Sequence, residues 1–450
     1  MRYKSTFQIS FWLFSHAIYF SLYSFGIVSH IFLAFLIFHA LFFVRSNKFI
    51  CPSMFILANF SLYVALPSML TTILFYIEYD YQLLWIENIA VKWASLSNFT
   101  ILQTSFIFIF LYYPLVLFER RINLIRKFKF PQITQIANNQ TKLVFNTMII
   151  TAVTSIFLTF YLFFSMGGPD AFFSDYSSTF LKNRSGLGVP IILGSIFTNI
   201  CVFLLGIIFF SEKFEYRLLF LILALFIIFT NGFVMGFKSR IGILFIIFFL
   251  HKLMNFNFNF KVLVYSTALF FIALFSLSYV RTNGYYTGFL LIEMLISYFN
   301  NLILHETIVI DFKPMDLFSI FWGANKWLYE GGIINYVADY DYSIYLTKIY
   351  YPDEWFLQKA TQQWPIQTEI YLNFGAGVFQ IIPVFLISAY LVMLYVIYTR
   401  PYTNLAIIFI CFSEFLRTLV TLRGGLLPYD LVYAVLAYII YWIFLRRIRV

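Results

Sequence analysis

The residues best suited to chemistry in this 450-residue sequence are cations that stand where a membrane segment would ordinarily carry none. Gly236-Phe237-Lys238-Ser239-Arg240-Ile241-Gly242 opens an apolar run with two of them. Arg417 and Arg423 follow one another in Arg417-Thr418-Leu419-Val420-Thr421-Leu422-Arg423-Gly424-Gly425, with Glu414 one helical turn before Arg417. Arg184 lies in Lys182-Asn183-Arg184-Ser185-Gly186-Leu187-Gly188, and Arg281 is the first residue beyond another apolar run. Lys or Arg at membrane depth is costly and usually lines a polar cavity, although each of these has a plainer reading as a snorkelling anchor at a helix end. Glu414 and Arg417 are expected to pair, while the glycines after Arg423 let backbone N–H groups approach an anion closely. Cations brought together from four helix ends fit a multiply charged anion. A diphosphate is the natural choice, because arginine forks match phosphate oxygens and no acid pair for a divalent metal stands near. No cofactor is expected.

Displacing a diphosphate with a hydroxyl needs a general base beside such cations. Glu369, in Trp364-Pro365-Ile366-Gln367-Thr368-Glu369-Ile370-Tyr371-Leu372-Asn373-Phe374-Gly375, is one candidate, its plainer reading being an ion pair with an arginine. His305, in Asn301-Leu302-Ile303-Leu304-His305-Glu306, is the one histidine outside the spans on the basic-poor side, and imidazole suits a base near neutral pH. Asp170 and Asp175, near Arg184, are a third and less specific possibility. His16, His30, His39 and His251 read as packed or interfacial residues, and Lys92, Lys313, Lys326, Lys348 and Lys359 as solvated loop charges.

The elements that must position these groups are membrane helices. The chain is 62% hydrophobic and 11% charged, with a mean hydropathy of +0.84, more apolar surface than a soluble core of this length buries. A span needs about 20 apolar residues to cross a hydrocarbon layer about 30 Å thick. That ruler predicts an all-α polytopic membrane protein of about 12 transmembrane helices, near residues 7–24, 27–44, 53–75, 99–118, 143–165, 187–210, 218–236, 238–254, 262–280, 368–398, 404–422 and 426–445. The whole chain reads as one membrane domain, with no visible repeat. The first apolar run has no small-residue cleavage site after it and is expected to be a retained span.

With the amino terminus inside, the inner segments hold most of the 30 Lys and Arg but only Glu119, Glu212 and Glu215 of the 20 acids. The positive-inside rule therefore puts both termini in the cytoplasm and one long hydrophilic loop, residues 281–367, outside. Within that loop, residues 289–296 are too short to span and suit a helix lying at the interface or under the lid of a cavity. The same rule accounts for the net charge of +10, so nucleic acid is not an expected partner. Cys51, Cys201 and Cys411 are too far apart for a metal-ligand or disulfide pattern.

The heptapeptide 236–242, the run Thr368-Glu369-Ile370-Tyr371-Leu372-Asn373-Phe374-Gly375-Ala376-Gly377 after a long outer loop, and Arg423-Gly424 before a final span together resemble the oligosaccharide repeat-unit polymerases, the Wzy or O-antigen polymerase family. The resemblance covers roughly residues 160–445 in layout. It implies a GT-C-like, metal-independent glycosyltransferase of a bacterial inner membrane. Such an enzyme moves a growing chain from undecaprenyl diphosphate onto the next undecaprenyl-diphosphate-linked oligosaccharide, beside a flippase and a chain-length regulator as partners. Arg240, Arg281 and Arg423, with Lys238, Arg184 and Arg417, would then hold the diphosphate, and Glu369 or His305 would assist the acceptor hydroxyl. The related O-antigen ligases usually place a histidine where this chain has Gln367, Thr368 and Glu369, which favours polymerase. A flippase for the same lipid-linked sugar is the second reading, less suited to an outer loop this long, and a structural scaffold is the third.

Overall fold

The computed structural model describes residues 29–46, 48–81, 96–126, 140–174, 186–211, 215–235, 238–254, 256–257, 289–330, 332–335, 339–358, 361–362, 364–400, 404–426 and 431–448, with isolated positions besides. Among them the chain is helical, and the one extended pairing is an isolated antiparallel bridge between Lys48 and Asn257.

The amino-terminal group comprises α1 (Ser29–Phe43), α2 (Pro52–Phe60), a π-helical turn (Ser61–Ala65), α3 (Leu66–Tyr76) and α4 (Asn98–Arg126). A second group follows: α5 (Thr141–Ser165), the short α6 (Gly168–Ser174), α7 (Gly188–Phe209), α8 (Arg217–Val234) and α9 (Lys238–Leu253). The long connection expected outside contains α10 (Phe289–Tyr298), α11 (Asn301–Asp311), α12 (Trp322–Glu330), α13 (Tyr342–Tyr350) and α14 (Pro352–Gln358). The chain then continues through α15 (Ile366–Phe374), α16 (Ile381–Tyr398), α17 (Leu405–Gly424) and α18 (Leu431–Leu445).

Six helices among the described residues are long and apolar enough to cross a membrane: Pro52–Leu74, Asn98–Ile125, Thr141–Ser165, Gly188–Phe209, Arg217–Val234 and Val378–Tyr398. Ile31–Phe43 and Leu431–Leu445 are shorter apolar helices. The expected spans 238–254 and 404–422 are helical, as α9 and α17, but are not among the six: α9 has only 16 residues, and α17 carries Glu414, Arg417 and Arg423. The expected first span, 7–24, and nearly all of 262–280 lie outside the described residues.

One expected helix is two. The run 368–398 breaks at Gly375, whose φ of +77° lies in the left-handed region where a side chain would be strained and a helix stops. Glu369 and Asn373 thereby fall outside the helix long and apolar enough to span, which begins at Val378. The apolar run 289–296 does form a helix, α10. It packs on α3, and its Leu295 joins Tyr63 and Phe299 in a small core.

The connections bond one another in two separate sets. Arg120 donates to the carbonyl of Arg45 at 2.7 and 3.1 Å, Phe49 N–H to Phe256 O at 3.2 Å, Tyr395 OH to Asn123 Oδ1 at 2.8 Å and Leu405 N–H to Ile448 O at 3.3 Å. At the opposite ends Tyr79 OH donates to Glu293 at 2.7 Å, and Ser97 donates to Glu306 through its N–H and hydroxyl at 3.1 and 2.8 Å.

At the centre of the second group lies α7, buried along most of its length against α5, α8, α9 and α18. Two glycines bring the backbones together. A Cβ on Gly206 would fall 2.0 Å from Phe248 O of α9, and one on Gly232 of α8 would fall 2.3 Å from Ile241 Cγ1. Without hydrophobic drive between helices in lipid, close approach of this kind is what holds them. Rows of exposed side chains, such as Phe157, Phe160 and Phe164 on α5 and Leu219, Ile222, Phe226 and Phe229 on α8, give these helices an apolar outer face suited to acyl chains.

Candidate functional site

Helix α15 is short, polar on one side and almost wholly buried, and it carries Glu369. The carboxylate accepts a hydrogen bond from the backbone N–H of Leu426, just past the end of α17. Gly425, with φ +150°, makes this approach: a Cβ there would lie 3.8 Å from Glu369 Oε2 and 3.5 Å from the Tyr342 ring. The buried carboxylate of α15 thus meets the glycine turn that follows Arg423-Gly424, segments 57 residues apart in sequence. Among the described residues no arginine bonds Glu369. Burial pushes its pKa up to about 8, the Leu426 N–H opposing the shift and the charge of Asp341 adding to it.

His305, on α11, is buried beside the same helix. Its Nε2 lies 2.8 Å from Gln103 Oε1, which can only accept, so the proton is on Nε2 and Nδ1 accepts from the Thr368 hydroxyl at 3.2 Å. Gln103 Nε2 in turn donates to Gln367 O at 3.5 Å. Burial lowers the imidazole pKa to about 3, so the ring is neutral. Both nitrogens being engaged, His305 joins α4, α11 and α15 and thereby holds the residue next to Glu369. Asn373, a turn further along α15, donates to Glu369 O at 2.8 Å and to Ser319 Oγ at 3.0 Å.

Arg240 lies in the first turn of α9, within the second helix group. Its Nε donates to Asn231 Oδ1 at 3.2 Å and its Nη2 to Ser195 O at 3.1 Å. Asn231 is itself fixed by donating to Thr159 Oγ1 at 3.2 Å. Tyr441 of α18 is in electrostatic reach of Arg240 and also takes a bond from Asn199 Nδ2 at 3.2 Å. All these partners are neutral, so the cation keeps its net charge. Close contact of Gly232 with Ile241 presses this end of α9 onto Asn231.

Arg417 differs. Its Nε and Nη2 donate to the two oxygens of Glu414 at 2.9 and 3.1 Å, and Tyr390 OH adds a third bond to that carboxylate at 2.7 Å. The ion pair expected within α17 is therefore present. The same helix links the two polar regions: Ser413 bonds Tyr441, and Gly425 touches Glu369 about 18 Å further along the axis.

The backbone of Lys238 and Arg423 is helical, and their side chains lie outside the described residues, as do Arg184, Arg281 and Asp175 entirely. Asp170 is exposed in the first turn of α6. Among the described residues no cluster of three metal-ligating side chains occurs. Gln103, Ser195, Asn231 and Tyr441 are not among the residues expected from the sequence. The signal that singles out three of them is a polar side chain in the middle of an apolar helix, whereas Ser195 acts through its carbonyl and leaves no signal.

The molecule is thus an α-helical membrane protein in which, among the described residues, the buried carboxylate of Glu369 meets the turn after α17 and Arg240 is bonded by neutral groups within the second helix group. The chain matches no protein-family profile, no curated protein and no solved structure.

Proposed function

We propose that this protein is a membrane glycosyltransferase that polymerises undecaprenyl-diphosphate-linked oligosaccharide repeat units into a surface polysaccharide. The reading puts it in a bacterial inner membrane with its outer connection outside and both termini cytoplasmic. The observation that carries it is the bond from Leu426 N–H to Glu369, which joins a buried carboxylate to the glycine turn after Arg423. A base with a raised pKa and a cation-bearing turn are the two parts that displacement of a diphosphate requires.

In this reading the acceptor sugar hydroxyl attacks the anomeric carbon of the donor chain. Glu369 takes the hydroxyl proton, the carbon–oxygen bond to the diphosphate breaks, and undecaprenyl diphosphate leaves. Arg423 takes up the negative charge that develops on the leaving group, and Arg240, whose polar region lies about 18 Å from Glu369 along α17, binds lipid diphosphate away from the breaking bond, with Lys238, Arg281 and Arg184 as the further cations. Arg417, already neutralised by Glu414, has the smaller part, and His305 is a positioning residue. The proton lost in each turnover must return to water from a carboxylate that holds it up to about pH 8.

Purified protein supplied with lipid-linked repeat units tests the assignment. Lengthened chains are expected, and these should vanish in Arg423→Ala and Glu369→Gln while the protein stays inserted. Movement of the substrate across vesicles without lengthening would instead make the protein a flippase, and unchanged ladders in both variants would remove Glu369 and Arg423 from the site.

A further inference from the structure

The outer connection carries an apolar edge that the proposed chemistry does not use. Between α11 and α12 the chain runs through Lys313-Pro314-Met315-Asp316-Leu317-Phe318-Ser319-Ile320-Phe321. Met315 is 61%, Phe318 67% and Phe321 55% exposed, and the Phe318 and Phe321 rings lie 5.7 Å apart. Met315 has φ +64°, following a proline, in a turn position that ordinarily takes glycine. Backbone strain of this kind persists where the surroundings hold it. Here Met315 N–H donates to Tyr371 O at 3.2 Å and Leu317 N–H to Leu372 O at 3.3 Å, and Ile320 N–H donates to Asn373 Oδ1 at 3.0 Å. The segment is thereby fastened along α15, and Met315 Cγ sits against Gly375, where a Cβ would be 3.0 Å away.

The membrane ruler sets the depth of this edge. The span Val378–Tyr398 has 21 residues, about 31 Å at 1.5 Å per residue, the thickness of the hydrocarbon layer. With Arg400 just past its inner end, Val378 stands at the outer boundary of the hydrocarbon. Gly375 is three residues from Val378, at most about 10 Å of chain. Met315 touches Gly375 and therefore lies at the level of the lipid headgroups. Val378 and Phe379 are 75% and 60% exposed, and Ile382, Phe385 and Leu386 continue the same exposed apolar row down α16. The apolar edge thus runs on from the face that α16 turns to lipid. Its own charges, Lys313 and Asp316, are exposed and suit the headgroup layer.

We propose that residues 313–321 form a lip that rests in the outer headgroup layer of the bilayer, its occupant being phospholipid, and that Asn373 fastens this lip to the helix carrying Glu369. The polar head of a membrane-borne substrate would then reach α15 sideways from the lipid. The depth of the lip stands on span geometry alone, and only the route of the substrate rests on the reaction proposed above.

Vesicle quenching tests it. The full chain with Cys51, Cys201 and Cys411 replaced by alanine, and carrying either Phe318→Cys or Phe321→Cys, is labelled with a small fluorophore and reconstituted into phosphatidylcholine vesicles. Spin-labelled lipid is expected to lower the emission by more than half when the label is at the headgroup, less when it is deep in the acyl chain, with iodide in the water having little effect. Strong iodide quenching without lipid quenching would overturn the proposal. Protection from both would overturn it too, because another protein surface would then cover the edge. Benzoylphenylalanine in place of Phe318, close in shape to the native ring, gives a second readout if the cysteine variants fail to insert: irradiation should attach phospholipid to residue 318.

Discussion

Arg240 and Arg417 are the same residue type in helices of the same bundle, and they end in opposite electrical states. Arg417 faces a carboxylate one turn away on its own helix, so the pair is neutral and local. Arg240 is held by an amide oxygen and a carbonyl oxygen from two other helices, so no carboxylate among the described residues compensates its charge and its position depends on the tertiary fold. A charge satisfied by neutral groups costs more to keep in a membrane than a neutralised one. The difference shows where a charge is an end in itself and where it is a structural fastener. Arg240 is the one of the two to be expected at an anion site.

The comparison breaks first at Arg417. Arg417→Ala strands a buried carboxylate and should cost about 3–5 kcal/mol of stability, read by thermal unfolding in detergent. The double variant Arg417→Met with Glu414→Leu should recover most of that loss; if it does not, the pair is more than a fastener. Arg240→Ala should do the reverse, lowering chain lengthening by about 10–100-fold, the worth of one charged hydrogen-bonding group in binding, with a smaller change in unfolding temperature. Equal losses of stability in the two single variants would erase the distinction drawn between them.

A carboxylate offers a further contrast. With its pKa raised to about 8, Glu369 is mostly protonated at neutral pH, so the rate should climb as pH rises through about 8 and level off above it, and Glu369→Gln should abolish both the rate and the climb. Stability has the opposite sign. The folded-state pKa lies above the ordinary carboxylate value, so the wild type should lose stability relative to Glu369→Gln as pH rises toward and through about 8. Gly232→Ala, which forces Ile241 and with it Arg240 away from Asn231, should cost about 1–3 kcal/mol and weaken anion binding at the Arg240 side. Smallest is His305→Gln, where a side chain that donates and accepts replaces a neutral imidazole; about 1 kcal/mol of stability is expected, with no change in the pH profile.

Six of the expected spans were legible in the sequence because the bilayer imposes one length and one composition on every crossing. The pair Glu414 and Arg417 was legible for a related reason, since residues three apart on a helix must meet. What could not be read was convergence between helices. Nothing in Gln103 or Thr368 announces His305 as their common partner, and the fact that α15 ends outside the hydrocarbon rests on a left-handed Gly375 inside an otherwise continuous apolar run. The meeting of Glu369 with Leu426 is a backbone contact and has no side-chain signature on the Leu426 side.

The two glycine contacts of α9 carry one more consequence. Gly232 clamps the helix at Ile241 and Gly206 clamps it at Phe248, about 10 Å apart along its axis. A rod gripped at both points cannot pivot, so the guanidinium at its end behaves as a fixed electrode. Under the proposed function, an anion arriving there would find the charge already aimed and would pay little ordering entropy for it.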